Sequence, residues 1–198
     1  MIRLSDHIAA AGGWLSLEAF MQLALHHPQE GYYSSSIENI GQRGDFSTTP
    51  TLSPILAKAI IAHWKEACSR CGRRLPLLEI GAGSGALAVK ILERLGFWNL
   101  LNTDYVIVES SPRLREFQHL LLGGRAKIYS TMEKALKHCG GKAFIFSNEL
   151  VDAFPARVFE YTEQDWKEVG LVVKNGAVRE ELRPVRQQPL FSHMLESG

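Results

Sequence analysis

Apolar residues recur at helical spacing along the first part of the chain. Between residues 5 and 26 Gly12-Gly13 interrupts them, so we predict a short helix and then a second helix that begins near Ser16 and ends before Pro28. Residues 52–68 predict another amphipathic helix. Its expected apolar face consists of Ile55, Leu56, Ala59, Ile60 and Trp64.

Four short apolar runs further along, each bounded by turn residues, predict β-strands. The runs are residues 77–80, 104–109, 126–129 and 143–146. Segments with helical periodicity separate them, so strands and helices alternate. This alternation predicts an α/β fold with a doubly wound, mostly parallel sheet.

Two of the intervening helices carry start signals. Ser111-Pro112 predicts one start, with proline in the first turn. The buried stripe expected for this helix is Leu114, Phe117, Leu120 and Leu121. The segment Ser130–Glu133 matches a capping box and predicts a further helix that runs to His138.

The pattern changes after Pro155. Residues 157–161, 166–174 and 177–184 alternate between apolar and polar positions, as antiparallel strands do. Lys174-Asn175-Gly176 predicts a hairpin turn between the last two strands.

Composition narrows the function classes. A chain of 198 residues suits one domain, and 45% hydrophobic with 22% charged residues is ordinary for a soluble protein. A net charge of +1 supplies no overall attraction to nucleic acid or to an anionic membrane. Because neither a membrane-spanning apolar run nor a secretory signal pattern is present, we expect a cytoplasmic protein without membrane insertion.

The cysteines do not indicate a disulfide framework, since there are three of them. Cys68 and Cys71 form a C-x-x-C pair, but no second pair or histidine stands at ligand spacing. We therefore predict no metal site.

The glycine-rich turn after the first strand is the most informative stretch. Gly81, Gly83 and Gly85 let the backbone turn tightly and leave its outer side open to a ligand. The following helix presents unpaired N–H groups and the positive end of its dipole. Such turns bind S-adenosylmethionine (SAM) or nicotinamide dinucleotides, and G-x-G-x-x-G/A alone does not separate the two.

Polar residues at other strand ends extend this site, because ligands bind beyond the carboxyl ends of parallel strands. Glu109 follows the second strand, where a carboxylate can accept hydrogen bonds from the hydroxyls of an adenosine ribose. Asn148-Glu149 follows the fourth strand. Glu79, just ahead of the glycines, favours SAM, since dinucleotide folds normally carry an apolar residue there.

Five segments form an ordered set that runs from near the N-terminus to the predicted hairpin region. They are His27–Tyr33, Gly44–Pro50, Leu78–Gly85, Val106–Arg115 and Ser147–Pro155. In order and spacing they resemble the MidA-like SAM-dependent methyltransferases. The mitochondrial members of that family are arginine methyltransferases needed for assembly of respiratory complex I.

The resemblance implies a Rossmann-like class I methyltransferase fold that binds SAM. It further implies methyl transfer to a protein arginine, with a respiratory complex subunit as the expected substrate. A loop carrying Asp45 would close over the cofactor. The full set of expected cofactor-binding residues is Glu79, Gly81, Gly83, Gly85, Glu109, Ser110 and Asp45.

Asn148, Glu149 and Asp152 are the expected catalytic residues, facing the methyl group and the acceptor. A guanidinium is a poor nucleophile, so carboxylates are needed to orient it and to localise its charge. Each carboxylate also has a plain structural interpretation. Glu149 can complement a helix dipole, and Asp152 can bond its own backbone in a turn.

Two departures from the family pattern stand out. Thr51 replaces the acid that usually follows the proline loop, and the chain is shorter than family members, so we expect a sheet truncated on its C-terminal side. We divide the chain into a helical region with the cofactor-covering loop (1–70), a SAM-binding core (71–155) and a hairpin extension (156–198).

An open sheet edge in a truncated fold predicts self-association.

Three interpretations of function remain open. Besides a methyltransferase, the alternatives are a non-catalytic SAM-binding scaffold and a nicotinamide-dependent oxidoreductase.

Overall fold

The computed structural model describes residues 3–35, 54–96, 102–162 and 165–185. The chain divides into two compact units. Residues 37–152 form the sheet unit, and residues 1–36 with 153–198 form the hairpin unit.

Helices and strands alternate along the sheet unit, as the hydrophobic pattern predicts. In chain order the described elements of both units are α1 (Leu4–Ala10), β1 (Leu15–Ser16), α2 (Leu17–His26), α3 (Tyr32–Ser35), α4 (Ile55–Arg70), β2 (Leu77–Ile80), α5 (Ala86–Leu95), β3 (Tyr105–Val108), α6 (Pro112–Leu122), β4 (Lys127–Tyr129), α7 (Met132–His138), β5 (Phe144–Ser147), β6 (Phe159–Thr162), β7 (Asp165–Lys174) and β8 (Ala177–Pro184). A 3₁₀ turn covers Val151–Ala153.

The sheet unit is built on four parallel strands in the order β4-β3-β2-β5. Ile80 at the end of β2 pairs with Val108 of β3 and with Ser147 of β5. Three strand ends are therefore aligned, and the segments that follow them lie at one edge of the sheet.

Successive residues of the central strands point to opposite faces, and helices cover both. On one face Tyr105 and Ile107 pack with Trp64 of α4 and Ile91 of α5. On the other face Val106 packs with residues of α7. Complete burial of a large apolar side chain contributes roughly 1.5–3 kcal/mol, so burial on two faces holds the strand ends in place.

The predicted helix starts are largely confirmed. Ser16 caps α2 and Ser111 caps α6, each accepting a hydrogen bond from a backbone N–H of its first turn. The start of α7 is displaced by one residue, because Thr131 is its cap in place of Ser130.

The predicted apolar face of α4 is confirmed in part, since Trp64 is buried and Leu56 and Ile60 pack partly buried against the core. Its buried residues are Ala57, Ile61 and Trp64, whereas Ile55 is 72% exposed. Apolar residues surround most of this helix, so the sequence does not single out one stripe.

Helix α6 also departs from its predicted stripe. Its buried residues, Leu114, Gln118 and Leu122, are four apart, and Leu120 is 80% exposed. The prediction that Leu120 is buried is wrong, because the true stripe contains a glutamine that hydropathy assigns to the surface.

The hairpin unit is organised around β7. Strand β8 pairs with β7 along Lys167–Lys174, while β6 and β1 pair with successive parts of it. Asn175 and Gly176 have φ values of 53° and 74°, as a two-residue hairpin turn between β7 and β8 requires. The predicted hairpin is confirmed.

Strand β1 joins the N-terminal helices to the hairpin. Leu15 pairs with Leu171 of β7, and both pack against Ile8 of α1. Helix α4 instead packs on the parallel sheet. The sequence-based division has boundaries after residues 70 and 155, whereas the two units have boundaries after residues 36 and 152. The sequence does not predict that residues 1–36 belong with the hairpin, because β1 has only two residues and leaves no periodic pattern.

Candidate cofactor and acceptor site

The glycine turn leaves β2 in left-handed backbone conformations. Gly81, Gly83 and Gly85 have φ values of 68°, 53° and 72°. The N–H of Gly81 donates to the carbonyl of Val108 at 2.8 Å, which ties the turn to the end of β3. A side chain at Gly81 would begin 2.6 Å from Cδ1 of Leu150, which would have to move, and the φ of 68° favours glycine there.

Gly85 is the N-cap of α5 and has no side chain with which to bond the first turn. The leading N–H groups of α5 are therefore left for a polar group of a ligand. The turn and the helix start together form a backbone cradle at the end of β2.

Glu109 follows β3, and its carboxylate is buried and hydrogen bonded. Its Oε1 accepts the N–H of Ser111 at 2.9 Å, and its Oε2 accepts Nε2 of Gln118 at 3.5 Å. Burial raises the pKa of Glu109, while these two bonds, a backbone bond from Gly83 and the charge of Arg115 act in the opposite direction. A carboxylate has about four acceptor positions, and three of them are used here, so about one remains for a ligand hydroxyl.

Glu79 forms a buried pair with Tyr105. It is 2% exposed, and the Tyr105 hydroxyl donates to its Oε2 at 2.6 Å. Burial raises the pKa of Glu79 to about 7; the hydrogen bond from Tyr105 opposes this rise and the charge of Glu109 adds to it. The strand that leads into the glycine turn therefore carries a carboxyl group that titrates near neutral pH.

The expected catalytic residues follow β5. Asn148 is half-buried, while Glu149 and Asp152 are exposed. Glu149 has a φ of 48°, and a left-handed conformation costs a residue with a side chain roughly 1–2 kcal/mol. Such strain is common at functional sites. Leu150 of the same segment packs over Gly81, so this segment contacts the glycine turn.

The structure brings Gly81, Glu109 and Asn148 to neighbouring strand ends. Ser110 is exposed beside Glu109, and its carbonyl accepts a bond from Nη1 of Arg115 at 2.7 Å. Asp152 lies further along, in the 3₁₀ turn. Asp45 lies outside the described residues.

Sequence reasoning missed two residues that support this site. Tyr105 bonds Glu79, and the amide of Gln118 bonds both Glu109 and the carbonyl of Gly83. Neither residue leaves a clear signal, because hydropathy assigns Gln118 to the surface and Tyr105 has the character of an ordinary strand residue.

Two features are absent from residues 3–35, 54–96, 102–162 and 165–185. No three His, Cys, Asp or Glu side chains in these ranges are arranged to hold a metal ion. None of the helices described there has the length and apolar character needed to cross a bilayer.

Comparison with known proteins identifies the family. Residues 55–197 match a family model described as "Putative S-adenosyl-L-methionine-dependent methyltransferase". The chain belongs to this methyltransferase family.

Curated relatives carry more specific names. Protein arginine methyltransferase NDUFAF7, mitochondrial, of Xenopus tropicalis is 28% identical over 192 residues, covering 83% of this chain and 44% of that protein. The Homo sapiens protein of the same name is 26% identical, and the match covers 85% of this chain and 44% of that protein. The chain thus spans less than half the length of these relatives.

Solved structures agree with the family. A crystal structure of a Burkholderia thailandensis protein bound to S-adenosyl-homocysteine matches with a TM-score of 0.74 and 28% identity, covering 93% of this chain and 49% of that chain. Another from the same organism matches with a TM-score of 0.73 and 30% identity, covering 93% and 47%. The MidA-like resemblance, the Rossmann-like fold and SAM as the family's cofactor are confirmed.

The expected cytoplasmic location is contradicted. The curated relatives are mitochondrial proteins by name. The expectation rested on the lack of a secretory signal pattern, and that pattern carries no information about mitochondrial import.

Proposed function

We propose that this chain forms the cofactor-binding part of a SAM-dependent methyltransferase that modifies an arginine of a protein. The observation that carries the proposal is the register of the parallel sheet. The glycine turn, Glu109 and Asn148-Glu149 follow three neighbouring strands whose ends are aligned. The names of the relatives support a protein arginine as the acceptor. The family resemblance supports a respiratory complex subunit as the substrate.

The residues around the glycine turn fit this cofactor. The left-handed backbone of Gly81, Gly83 and Gly85 makes the tight turn that this cofactor needs, and Glu109 would accept hydrogen bonding from the ribose. Glu79 would support the turn and the amino group of the methionine part. Bound SAM supplies an electrophilic methyl group on a sulfonium.

The chain's own contribution to the reaction is to orient the acceptor. Carboxylates of Glu149 and Asp152 would accept N–H bonds from a guanidinium, and Asn148 would add an amide oxygen and a donor. Holding the acceptor nitrogen in line with the methyl group is a proximity effect. Because Glu149 and Asp152 are exposed, a group on a large protein can reach them from solvent.

The proposal is tested by incubating the chain with methyl-labelled SAM and a mixture of mitochondrial proteins, followed by mass spectrometry of the labelled peptides. With the parent chain we expect label on arginine residues of the mitochondrial proteins, and with Glu149→Gln we expect no label. Both forms of the chain should bind S-adenosylhomocysteine (SAH) equally. Label on another residue type would overturn arginine as the acceptor.

A non-catalytic scaffold is the second candidate, and the edge of the sheet favours it. In the described sheet order β5 is an outer strand, and its Ile145 is 47% exposed. An apolar groove beside it is lined by Ile60, Ala67 and Phe146, among others. Unpaired strand edges promote association. This candidate predicts SAH binding without methyl transfer and self-association that Ile145→Lys abolishes; light scattering that shows a monomer would count against it.

A further inference from the structure

Gln118 is a buried polar residue that belongs to no part of the sequence-predicted site. Its side chain has 0% exposure and lies between Leu114 and Leu122 on the buried side of α6. Burial of an amide is unfavourable unless hydrogen bonds replace its bonds to water. The partners of Gln118 therefore indicate what this residue does.

The amide nitrogen of Gln118 bridges two parts of the cofactor site. Nε2 donates to the carbonyl oxygen of Gly83 at 2.9 Å and to Oε2 of Glu109 at 3.5 Å. A carbonyl and a carboxylate are both acceptors, so only the nitrogen end of the amide suits this position. The two hydrogens of the amide can serve one acceptor each.

The bridge restrains a residue that has unusual freedom. Gly83 lies at a φ of 53° and has no side chain to restrict its two peptide planes. A backbone bond to Glu109 holds its N–H side, and Gln118 holds its C=O side. Both peptide planes of this glycine are therefore tied to α6 and to the end of β3.

We propose that Gln118 is a positioning residue of the cofactor site, which holds the glycine turn and the ribose-binding carboxylate in the mutual orientation that SAM requires. This inference rests on the proposed cofactor-binding roles of Gly83 and Glu109. It adds a residue that touches neither the methyl group nor the acceptor and acts through its two partners.

The bridge also affects the charge of Glu109. The charged groups that face this carboxylate are Arg115 of α6 and Glu79 of β2. Burial raises the pKa of Glu109, whereas the bonds from Ser111 and Gln118 lower it. Loss of the Gln118 bond therefore raises this pKa and favours the protonated carboxyl group, which accepts fewer hydroxyl bonds.

The test is calorimetric titration with SAH as a function of pH. Gln118→Met keeps the length of the side chain and removes the bridge, and Leu120→Ala, on the exposed side of the same helix, is the matched control. We expect Gln118→Met to bind SAH roughly tenfold more weakly at about pH 8, the size of one lost bond to a charged group. The loss of SAH affinity in Gln118→Met should become larger as pH falls, while Leu120→Ala should bind SAH as the parent chain does.

Gln118→Glu supplies a second test, in which the pH dependence of SAH affinity should have the opposite direction. Two carboxylates would then face each other and share a proton, so affinity should fall as pH rises. Equal affinity in the parent and both variants would overturn the proposal, as would a uniform loss without pH dependence, which is the mark of a merely structural residue. If circular dichroism shows that Gln118→Met does not fold, the test is decided by whether the SAH affinity of Gln118→Glu falls as pH rises. A parent chain that binds no SAH would instead overturn the proposed function.

Discussion

The proposed cofactor part of the sheet edge (Glu79, Glu109 and Gln118) and the proposed acceptor part (Glu149 and Asp152) are built from similar residue types in opposite environments. Glu79, Glu109 and Gln118 are 2%, 6% and 0% exposed, and each is hydrogen bonded to a neighbouring strand, turn or helix. Glu149 and Asp152 stand at the same edge but are exposed. The first group is fixed before any ligand arrives, and the second is open to solvent.

This difference follows from what each part would bind. A small molecule of constant shape is bound best by groups whose positions are already fixed, since little ordering is then needed on binding. A protein side chain has to reach its site from solvent, so the groups that orient it must stay accessible. We therefore expect changes in the cofactor part to alter SAH affinity and stability together, and changes in the acceptor part to leave SAH affinity unchanged.

The largest expected effect is that of Gly83→Val. A β-branched side chain at a φ of 53° is strained and would enter the proposed cofactor space, so SAH affinity should fall roughly 100-fold or more by calorimetry. Gly140→Val is the matched control, because Gly140 has a φ of 64° and open space around its Cβ position. Equal losses in the two variants would show that backbone strain, and not the cofactor cradle, is responsible.

The second effect concerns the pH dependence of stability. Because the pKa of Glu79 is raised from 4.5 to about 7, the folded state binds this proton more tightly than the unfolded state. This contribution to stability is complete below the pKa of Glu79 in the unfolded state. It is lost as pH rises through the pKa of Glu79 in the folded state. Relative to Glu79→Gln, the free energy of unfolding of the parent chain should fall by about 3 kcal/mol between about pH 4.5 and about pH 7.

Urea denaturation at a series of pH values measures this difference. Glu180→Gln, at an exposed position on β8, is the control and should follow the parent chain. Parallel pH profiles for the parent chain and Glu79→Gln would contradict the assignment of the titration to the buried pair.

The smallest expected effect lies in the acceptor part. Glu149→Gly relieves a left-handed conformation and should raise the free energy of unfolding by up to about 1 kcal/mol. Asp152→Gly, at a position without positive φ, should lower it. Both variants should keep the SAH affinity of the parent chain. A parallel loss of SAH affinity would show that the two parts of the edge are not separate.

Much of this comparison could be predicted from sequence, because strand ends are local features. The glycine turn, Glu109 and Asn148 each follow a short apolar run, and the alternation of runs with helices places their ends together. The end of α5 at Gly96 and the turn at Asn175-Gly176 are equally local, since each depends on residues with positive φ.

The features that the sequence did not reveal depend on the phase of a helix or on distant pairing. The apolar pattern predicts a stripe of Leu114, Phe117, Leu120 and Leu121 on α6, which does not include Gln118. Tyr105 meets Glu79 only through the pairing of β2 with β3. The hairpin unit depends on pairing of β1 with β7, which are far apart in sequence.

The measurement that tests the central claim most directly is calorimetric titration of the folded parent chain with SAH. The geometry of the glycine turn, Glu109 and Gln118 predicts micromolar binding at one site per chain. Absence of binding by a sample with folded circular dichroism and a cooperative melting transition would contradict the claim that this chain carries a preorganised SAM site.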